Sequence, residues 1–174
     1  MTAAAITSPT QALVAETMRV RGAVQGVGFR PTVWRLATEL GVAGSVGNDA
    51  QGVLITAVAT QGQLDQFARR VQAEAPPLAH IGAFERQAAR LPKPVPSTFV
   101  IAASSGAGEA AFAAVAADAA TCADCVAEIV DPFSRRFRYP LTNCTHCGPR
   151  LTIVTGVPYD RPRTTMAGYA LCAA

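Results

Sequence analysis

Charge is scarce in this sequence. Only 16% of its residues are Asp, Glu, Lys or Arg, and Lys93 is the sole lysine beside fourteen arginines. A net charge of +3 spread this thinly makes no basic field of nucleic-acid size, which argues against a nucleic-acid partner. Aromatics are few as well, at 6% with one Trp, against 35 alanines. Buried area per residue is therefore modest and the core compact. Long apolar runs are missing. The longest is Ala110–Ala117, far short of the ~20 residues a membrane span requires. The first fifteen residues lack the positive start and apolar block of a secretion signal, so residues 1–16 read as a flexible tail on a cytoplasmic protein. What is plentiful is apolar content, 50% in all, which excludes a disordered chain. A length of 174 residues fits one domain with an appendage, or a piece of something longer. Five cysteines in a reducing compartment point to metal binding or catalysis ahead of disulfides.

From Thr17 the pattern alternates, with Met18, Val20 and Val24 set against Arg19, Arg21 and Ala23, which predicts a strand. The glycine-rich turn Gln25-Gly26-Val27-Gly28 leads to Pro31, well placed at a helix start. Val33, Leu36, Ala37 and Leu40 then follow at helical spacing, and Gly41 supplies the stop. Residues 42–48 and 52–59 read as a hairpin around Asp49-Ala50-Gln51. Leu64, Phe67, Ala68 and Val71 repeat the helical template, ended by Pro76-Pro77. Short apolar runs at His80–Phe84 and Thr98–Ala102 are each compatible with a strand. The order β-α-β-β-α-β, with an additional edge strand, predicts an α+β ferredoxin-like sandwich: a four- or five-stranded antiparallel sheet with both helices on one face. It is expected to occupy residues 17–103, with a linker over 104–120 and a small stapled domain over 121–174.

A glycine-rich turn between a strand and a helix start presents backbone N–H groups where the helix dipole adds roughly half a positive charge. Arg30 stands at the same entrance, so a guanidinium fork and a ring of amides can converge on one phosphoryl group. The bland alternative is a tight turn beside a solvated arginine. The stretch Gly22-Ala23-Val24-Gln25-Gly26-Val27-Gly28-Phe29-Arg30 resembles the acylphosphatase signature G-x-V-Q-G-V-x-F-R at every fixed position. The resemblance implies that the amides of Gln25, Gly26, Val27, Gly28, Phe29 and Arg30, with the Arg30 side chain, bind phosphate. It also implies that an asparagine on the next strand positions water, and the matching residue is Asn48. Ser45 and Gly47 depart from the family's usual aromatic and larger polar residues. The chemistry implied needs no metal and no general base, because an acyl phosphate carries a good leaving group. In this reading the Arg30 side chain faces solvent and ligand. The competing role for Asn48 is to favour the hairpin turn.

Cys122, Cys125, Cys144 and Cys147 form C-x2-C-x18-C-x2-C, and two close thiolate pairs can close a tetrahedral zinc shell. A redox pair or two bridges are the alternatives. His146 lies inside the second knuckle and is not needed as a ligand. Residues 131–140, with three arginines among aromatics, read as a finger surface or a domain contact ahead of a nucleic-acid interface.

Taken together, an acylphosphatase-like start followed by Asp118–Cys122, Arg135–Pro140, Asn143–Arg150 and Pro158–Pro162 resembles the N-terminal part of the HypF family, the carbamoyltransferases of nickel-iron hydrogenase maturation. The resemblance covers about residues 17–172. It implies that carbamoyl phosphate is hydrolysed here to carbamate and phosphate. It further implies that ATP is used by C-terminal domains outside this chain, and that carbamoyl is passed to the C-terminal cysteine of HypE. A second set of knuckles would open at Cys172, so the chain reads as an N-terminal fragment with its second finger truncated. A free-standing acylphosphatase with a zinc-binding tail, and a non-catalytic anion-binding and interaction module, are the alternatives.

Overall fold

Alternation of apolar and polar residues sets the longest strand. In the computed structural model, which describes residues 12–105, 114–115, 120–140, 142, 144 and 153–169, β1 (Val14–Gln25) starts three residues before Thr17. Met18, Val20 and Val24 turn into the core from it. Helix α1 (Phe29–Leu40) ends at Gly41, whose left-handed backbone (φ 66°) lets its N–H reach the carbonyls of Ala37 and Thr38. The hairpin strands are β2 (Ala43–Asp49) and β3 (Gly52–Ala59). Helix α2 (Gln61–Ala73) opens on a reciprocal cap, in which the Gln63 N–H donates to the Thr60 side chain and the Gln63 side chain accepts from the Thr60 N–H. The two short apolar runs become β4 (His80–Ala89), longer than expected, and β5 (Phe99–Ile101).

The sheet runs β4-β1-β3-β2-β5. β1 pairs antiparallel with β3 and β4, and β2 antiparallel with β3. It is not antiparallel throughout, as the sequence reading expected, because β5 runs parallel to β2. The reason is the path of the chain. β4 and β5 lie on opposite edges and point in opposite directions, so the proline-rich stretch 90–98 needs only to cross one end of the sheet. A two-residue strand, β6 (Ala114–Val115), adds in parallel to the end of β1.

Val33, Leu36 and Ala37 of α1 and Leu64, Phe67, Ala68 and Val71 of α2 pack on Met18, Val20, Val46, Val53, Ile55 and Ala57 as a single cluster. Both helices thus cover the same face. The Phe67 ring meets Phe99 edge-on with centroids 6.1 Å apart, which ties the edge strand β5 into the core. Close backbone contact explains one glycine. A Cβ at Gly22 (φ 127°) would lie 2.1 Å from the His80 carbonyl oxygen, where β1 shifts register against β4.

Past the sheet, helix α3 (Ala123–Val130) follows Cys122. Sequence periodicity did not predict it. Val126, Ile129 and Val130 stand at helical spacing, but the helix is only eight residues long and its one buried residue is Cys125. Arg136 pairs with Glu128 at 2.6 Å, Arg138 lies over the Phe137 ring, and Phe133 is 96% exposed. A single-turn 3-10 helix, Arg161–Arg163, begins at Asp160, whose side chain accepts from the Arg161 N–H.

Candidate functional site

The loop between β1 and α1 is anchored by its own apolar side chains. Val27 and Phe29 are buried in the core, which leaves their backbone to shape the loop. Gly26 and Gly28 both adopt φ 76°, a left-handed conformation that costs glycine little. The Gln25 side chain is 1% exposed, and its amide donates to the carbonyls of Asp49 and Gly52, each at 2.8 Å. Gln25 therefore locks the loop to the β2–β3 turn. Arg30 enters from the first turn of α1, where the helix amides and dipole favour an anion.

Asn48 is the last inward-facing residue of β2 and is 2% exposed. It lies opposite Val53 in the ladder rather than in the turn. Asp49 makes the turn, its side chain accepting from the Gln51 N–H at 2.8 Å. The Asn48 amide donates through Nδ2 to the carbonyl oxygen of Tyr159 at 3.0 Å. A carbonyl can only accept, so this bond settles which side-chain atom is nitrogen. Oδ1 is buried and has no partner among the described residues. A buried acceptor left open in this way calls for a donor such as water or a ligand N–H.

The structure brings Arg30 and Asn48 together through residues that sequence reasoning placed elsewhere. Arg30 Nη2 approaches the same Tyr159 carbonyl at 3.5 Å and Asp160 Oδ1 at 3.8 Å, while Nη1 donates to Ser104 Oγ at 3.4 Å. Ser104 in turn donates to Asp160 Oδ2 at 3.0 Å. The Tyr159 N–H donates to Gln25 Oε1 at 2.6 Å. A Cβ on Gly26 would stand 3.4 Å from the Tyr159 ring. Arg30 is thus 19% exposed and tethered, not turned to solvent as the sequence reading had it. Ser104, Tyr159 and Asp160 had no signal of their own. Pro158-Tyr159-Asp160-Arg161-Pro162 stood out as a motif, but nothing in the sequence tied it to a loop more than a hundred residues earlier.

The second constellation is the cysteine cluster. The ligand atoms of Cys122, Cys125 and Cys144 all lie within 4.8 Å of one another, with 3.5 Å between the sulfurs of Cys122 and Cys144. Sulfurs about 2.3 Å from a central zinc stand roughly 3.8 Å apart at tetrahedral angles, so these three fit such an ion. Cys147 and His146 lie outside the described residues.

Comparison with known proteins follows this division. The acylphosphatase family model matches residues 16–101, and the HypF finger model matches residues 121–154. The carbamoyltransferase HypF of Rhodobacter capsulatus is 54% identical over 157 residues, which is 90% of this chain and 20% of that protein. An acylphosphatase of Lactobacillus johnsonii is 44% identical over 66 residues, 37% of this chain and 72% of its own length. Among solved structures, full-length HypF in a phosphate- and nucleotide-bound form superposes with a TM-score of 0.86 at 34% identity, over 94% of this chain and 21% of that one. HypF of T. kodakarensis gives 0.78 at 35% identity, over 91% of this chain and 19% of that one. The chain spans about a fifth of the length of the HypF proteins it matches. Across both modules, then, this chain belongs to the HypF family, as a stretch made of an acylphosphatase-type hydrolase domain and the start of the HypF finger region.

Proposed function

We propose that the site at the β1–α1 loop hydrolyses carbamoyl phosphate to carbamate and inorganic phosphate, as the first step of a carbamoyltransferase in nickel-iron hydrogenase maturation. The observation that carries this reading is that Gln25 of the glycine loop, Arg30 and Asn48 all bond to one residue, Tyr159, while Asn48 Oδ1 is buried without a partner among the described residues. The loop amides and Arg30 would hold the phosphoryl oxygens and spread their charge. Asn48 Oδ1 would accept a hydrogen bond from the attacking water and aim it at phosphorus, opposite the leaving oxygen. The water oxygen bonds to phosphorus as the bridging P–O bond breaks. The electron pair of that bond stays on the carbamate oxygen, and the water's protons remain on the phosphate product. Nothing here requires a strong nucleophile, because the carboxylate-type leaving group departs readily.

In the same reading, residues 17–103 form the hydrolase and 121–174 the finger region of a cytoplasmic protein. Cys122, Cys125, Cys144 and Cys147 would hold one zinc ion. Its contribution is structural, replacing the burial that a module this small lacks. ATP-dependent activation of carbamate and transfer to the C-terminal cysteine of HypE would fall to other domains of the same protein. Phosphate release from carbamoyl phosphate, measured beside acetyl and benzoyl phosphate, tests the hydrolytic step. Phosphate binding without release from any of the three would make the loop a non-catalytic anion site and reject it.

A further inference from the structure

Ser104 lies outside every strand and helix, yet both its backbone and its side chain are held. Past the end of β5 the chain stays on β2. The Ala102 N–H donates to the Val46 carbonyl at 2.8 Å, and the Ser105 N–H donates to the Asn48 carbonyl at 3.0 Å. These bonds fix the Ser104 backbone beside the strand that carries Asn48. The Ser104 hydroxyl donates to Asp160 Oδ2 at 3.0 Å, and a carboxylate can only accept, so the one proton of Ser104 Oγ is committed there. Asp160 is fixed in turn, because its Oδ1 accepts from the Arg161 N–H at 3.0 Å. The lone pairs of Ser104 Oγ are left for Arg30, whose Nη1 donates to it at 3.4 Å.

An arginine side chain has many rotamers, and its worth as an anion ligand depends on its being in place before the anion arrives. The other contacts of Arg30 are longer, at 3.5 Å to the Tyr159 carbonyl and 3.8 Å to Asp160 Oδ1, and both go to Nη2. Contacts at one nitrogen leave the guanidinium free to swing about it. Ser104 meets the second nitrogen, Nη1, and so sets the orientation of the plane. We propose that Ser104 is a positioning residue of the anion site, which orients the Arg30 guanidinium through Nη1 and keys it to the strand that presents Asn48. The proposal rests on Arg30 as a phosphate ligand in the reading given above. Donors remain for the anion, since a guanidinium has five N–H groups and the Nε–H of Arg30 has no partner among the described residues. Because Ser104 Oγ accepts from Arg30 while giving its own proton to Asp160, the two bonds polarise each other. Ser104 carries no charge, so removing its hydroxyl disturbs Arg30 without altering the net charge of the site.

The test uses the intact chain and two substitutions: Ser104→Ala deletes the hydroxyl, and Ser104→Thr keeps it. In ligand-free protein the NMR signal of the Arg30 Nε–H, assigned by its loss in Arg30→Ala, should move and broaden in Ser104→Ala and return in Ser104→Thr. Inorganic phosphate, titrated by calorimetry, should bind about threefold to tenfold more weakly to Ser104→Ala and within about twofold of the wild type to Ser104→Thr. On an Arg30→Ala background, adding Ser104→Ala should change phosphate affinity by less than about twofold, because the effect runs through the arginine. An Nε–H signal that stays in place in Ser104→Ala, or an unchanged phosphate affinity, overturns the proposal. So does tighter phosphate binding, which would make Ser104 a competitor for Arg30. An equal loss of affinity with and without Arg30 would give Ser104 its own contact with the anion and overturn the positioning role, as would a loss that Ser104→Thr does not repair. The expected signals and affinities, without phosphate release from carbamoyl phosphate, defeat the hydrolytic reading and leave the positioning role standing. A wild type that binds no phosphate defeats both.

Discussion

Arg30 and Asn48 converge on a single atom, the carbonyl oxygen of Tyr159, from 3.5 and 3.0 Å. One residue comes from the first turn of α1 and the other from the last inward position of β2, and the acceptor they share comes from the finger region. Each side chain is thus bound to residue 159 whatever part it has in the proposed reaction, and the consequences of removing it include the loss of that contact.

Arg30→Ala removes a charge-assisted fork. Inhibition by inorganic phosphate and turnover should both fall sharply, and Arg30→Lys should restore neither, because an ammonium is a point charge that cannot span two oxygens. The same change also releases Ser104 and the Tyr159 carbonyl, so a stability loss of about 0.5–1.5 kcal/mol is expected in thermal melting, where a solvent-facing arginine would cost nothing. Equal phosphate affinity in wild type and Arg30→Ala would refute the anion role. An unchanged melting temperature would refute the tether.

Asn48 separates rate from affinity. Asn48→Ala should slow turnover by at least ~10²-fold while phosphate affinity moves by less than ~3-fold, since the lost group aims water and does not hold the anion. Asn48→Asp is the sharper variant. Its carboxylate keeps an acceptor where Oδ1 stands but sets a second acceptor against the Tyr159 carbonyl, where Nδ2 now donates. It should therefore lose stability as well as rate. Steady-state hydrolysis beside calorimetric phosphate titration decides. An Asn48→Ala protein that melts early yet hydrolyses normally would leave Asn48 a purely structural role.

Acid should weaken the fold through Glu16. Burial pushes its carboxyl up, but the Arg86 guanidinium, with both nitrogens 2.8–2.9 Å away, and the Gln61 amide at 3.0 Å outweigh this and hold it below the usual carboxylate range. A carboxyl depressed in the folded state stabilises the fold above its unfolded value of about 4.3 and loses that contribution as pH falls through the lower folded value. Melting temperature should accordingly decline below about pH 4.3, and Glu16→Gln should flatten that decline while lowering stability at neutral pH. Parallel curves for the two proteins would exclude Glu16 as a source of the acid sensitivity.

How much of this was legible in the sequence depends on the range of the interactions. Local signals were readable: helical spacing and Gly41 for α1, the offsets of Leu64 and Phe67 for α2, and the hairpin around Asp49. The loop signature likewise marked Gln25 through Arg30 and, by position, Asn48. The parallel placement of β5 was not readable, since it is set by a crossing of the sheet end and not by any feature of Phe99–Ile101. Helix α3 escaped because, at eight residues, it is too short for the spacing of Val126, Ile129 and Val130 to stand out from its surroundings. The contact of Tyr159 with the loop escaped for a different reason. Its binding to the loop uses the Tyr159 backbone, and a backbone N–H and carbonyl look the same in every residue.

The last prediction concerns the metal and ties the two modules together. Reduced protein should hold close to one equivalent of zinc, with Cys122, Cys125 and Cys144 supplying three sulfurs and Cys147 the fourth. Structural zinc in small domains contributes ~10–16 kcal/mol of apparent binding energy, far more than α3 can gain from burying one side chain. A chelator should therefore unfold residues 118–165 while the sheet and its two helices, which have their own core, stay folded. Residues 159 and 160 lie within the stretch that unfolds. Removing zinc should release the Asn48 and Gln25 contacts and shift backbone amide signals at Gln25 and Asn48, although neither residue is among the cysteines that would hold the metal. Cys122→Ser should have the same effect without chelator. Metal analysis finding no zinc in reduced, tag-free protein would defeat the assignment. Chelation that unfolds the finger yet leaves the signals of Gln25 and Asn48 in place would show that the Tyr159 contacts hold without it.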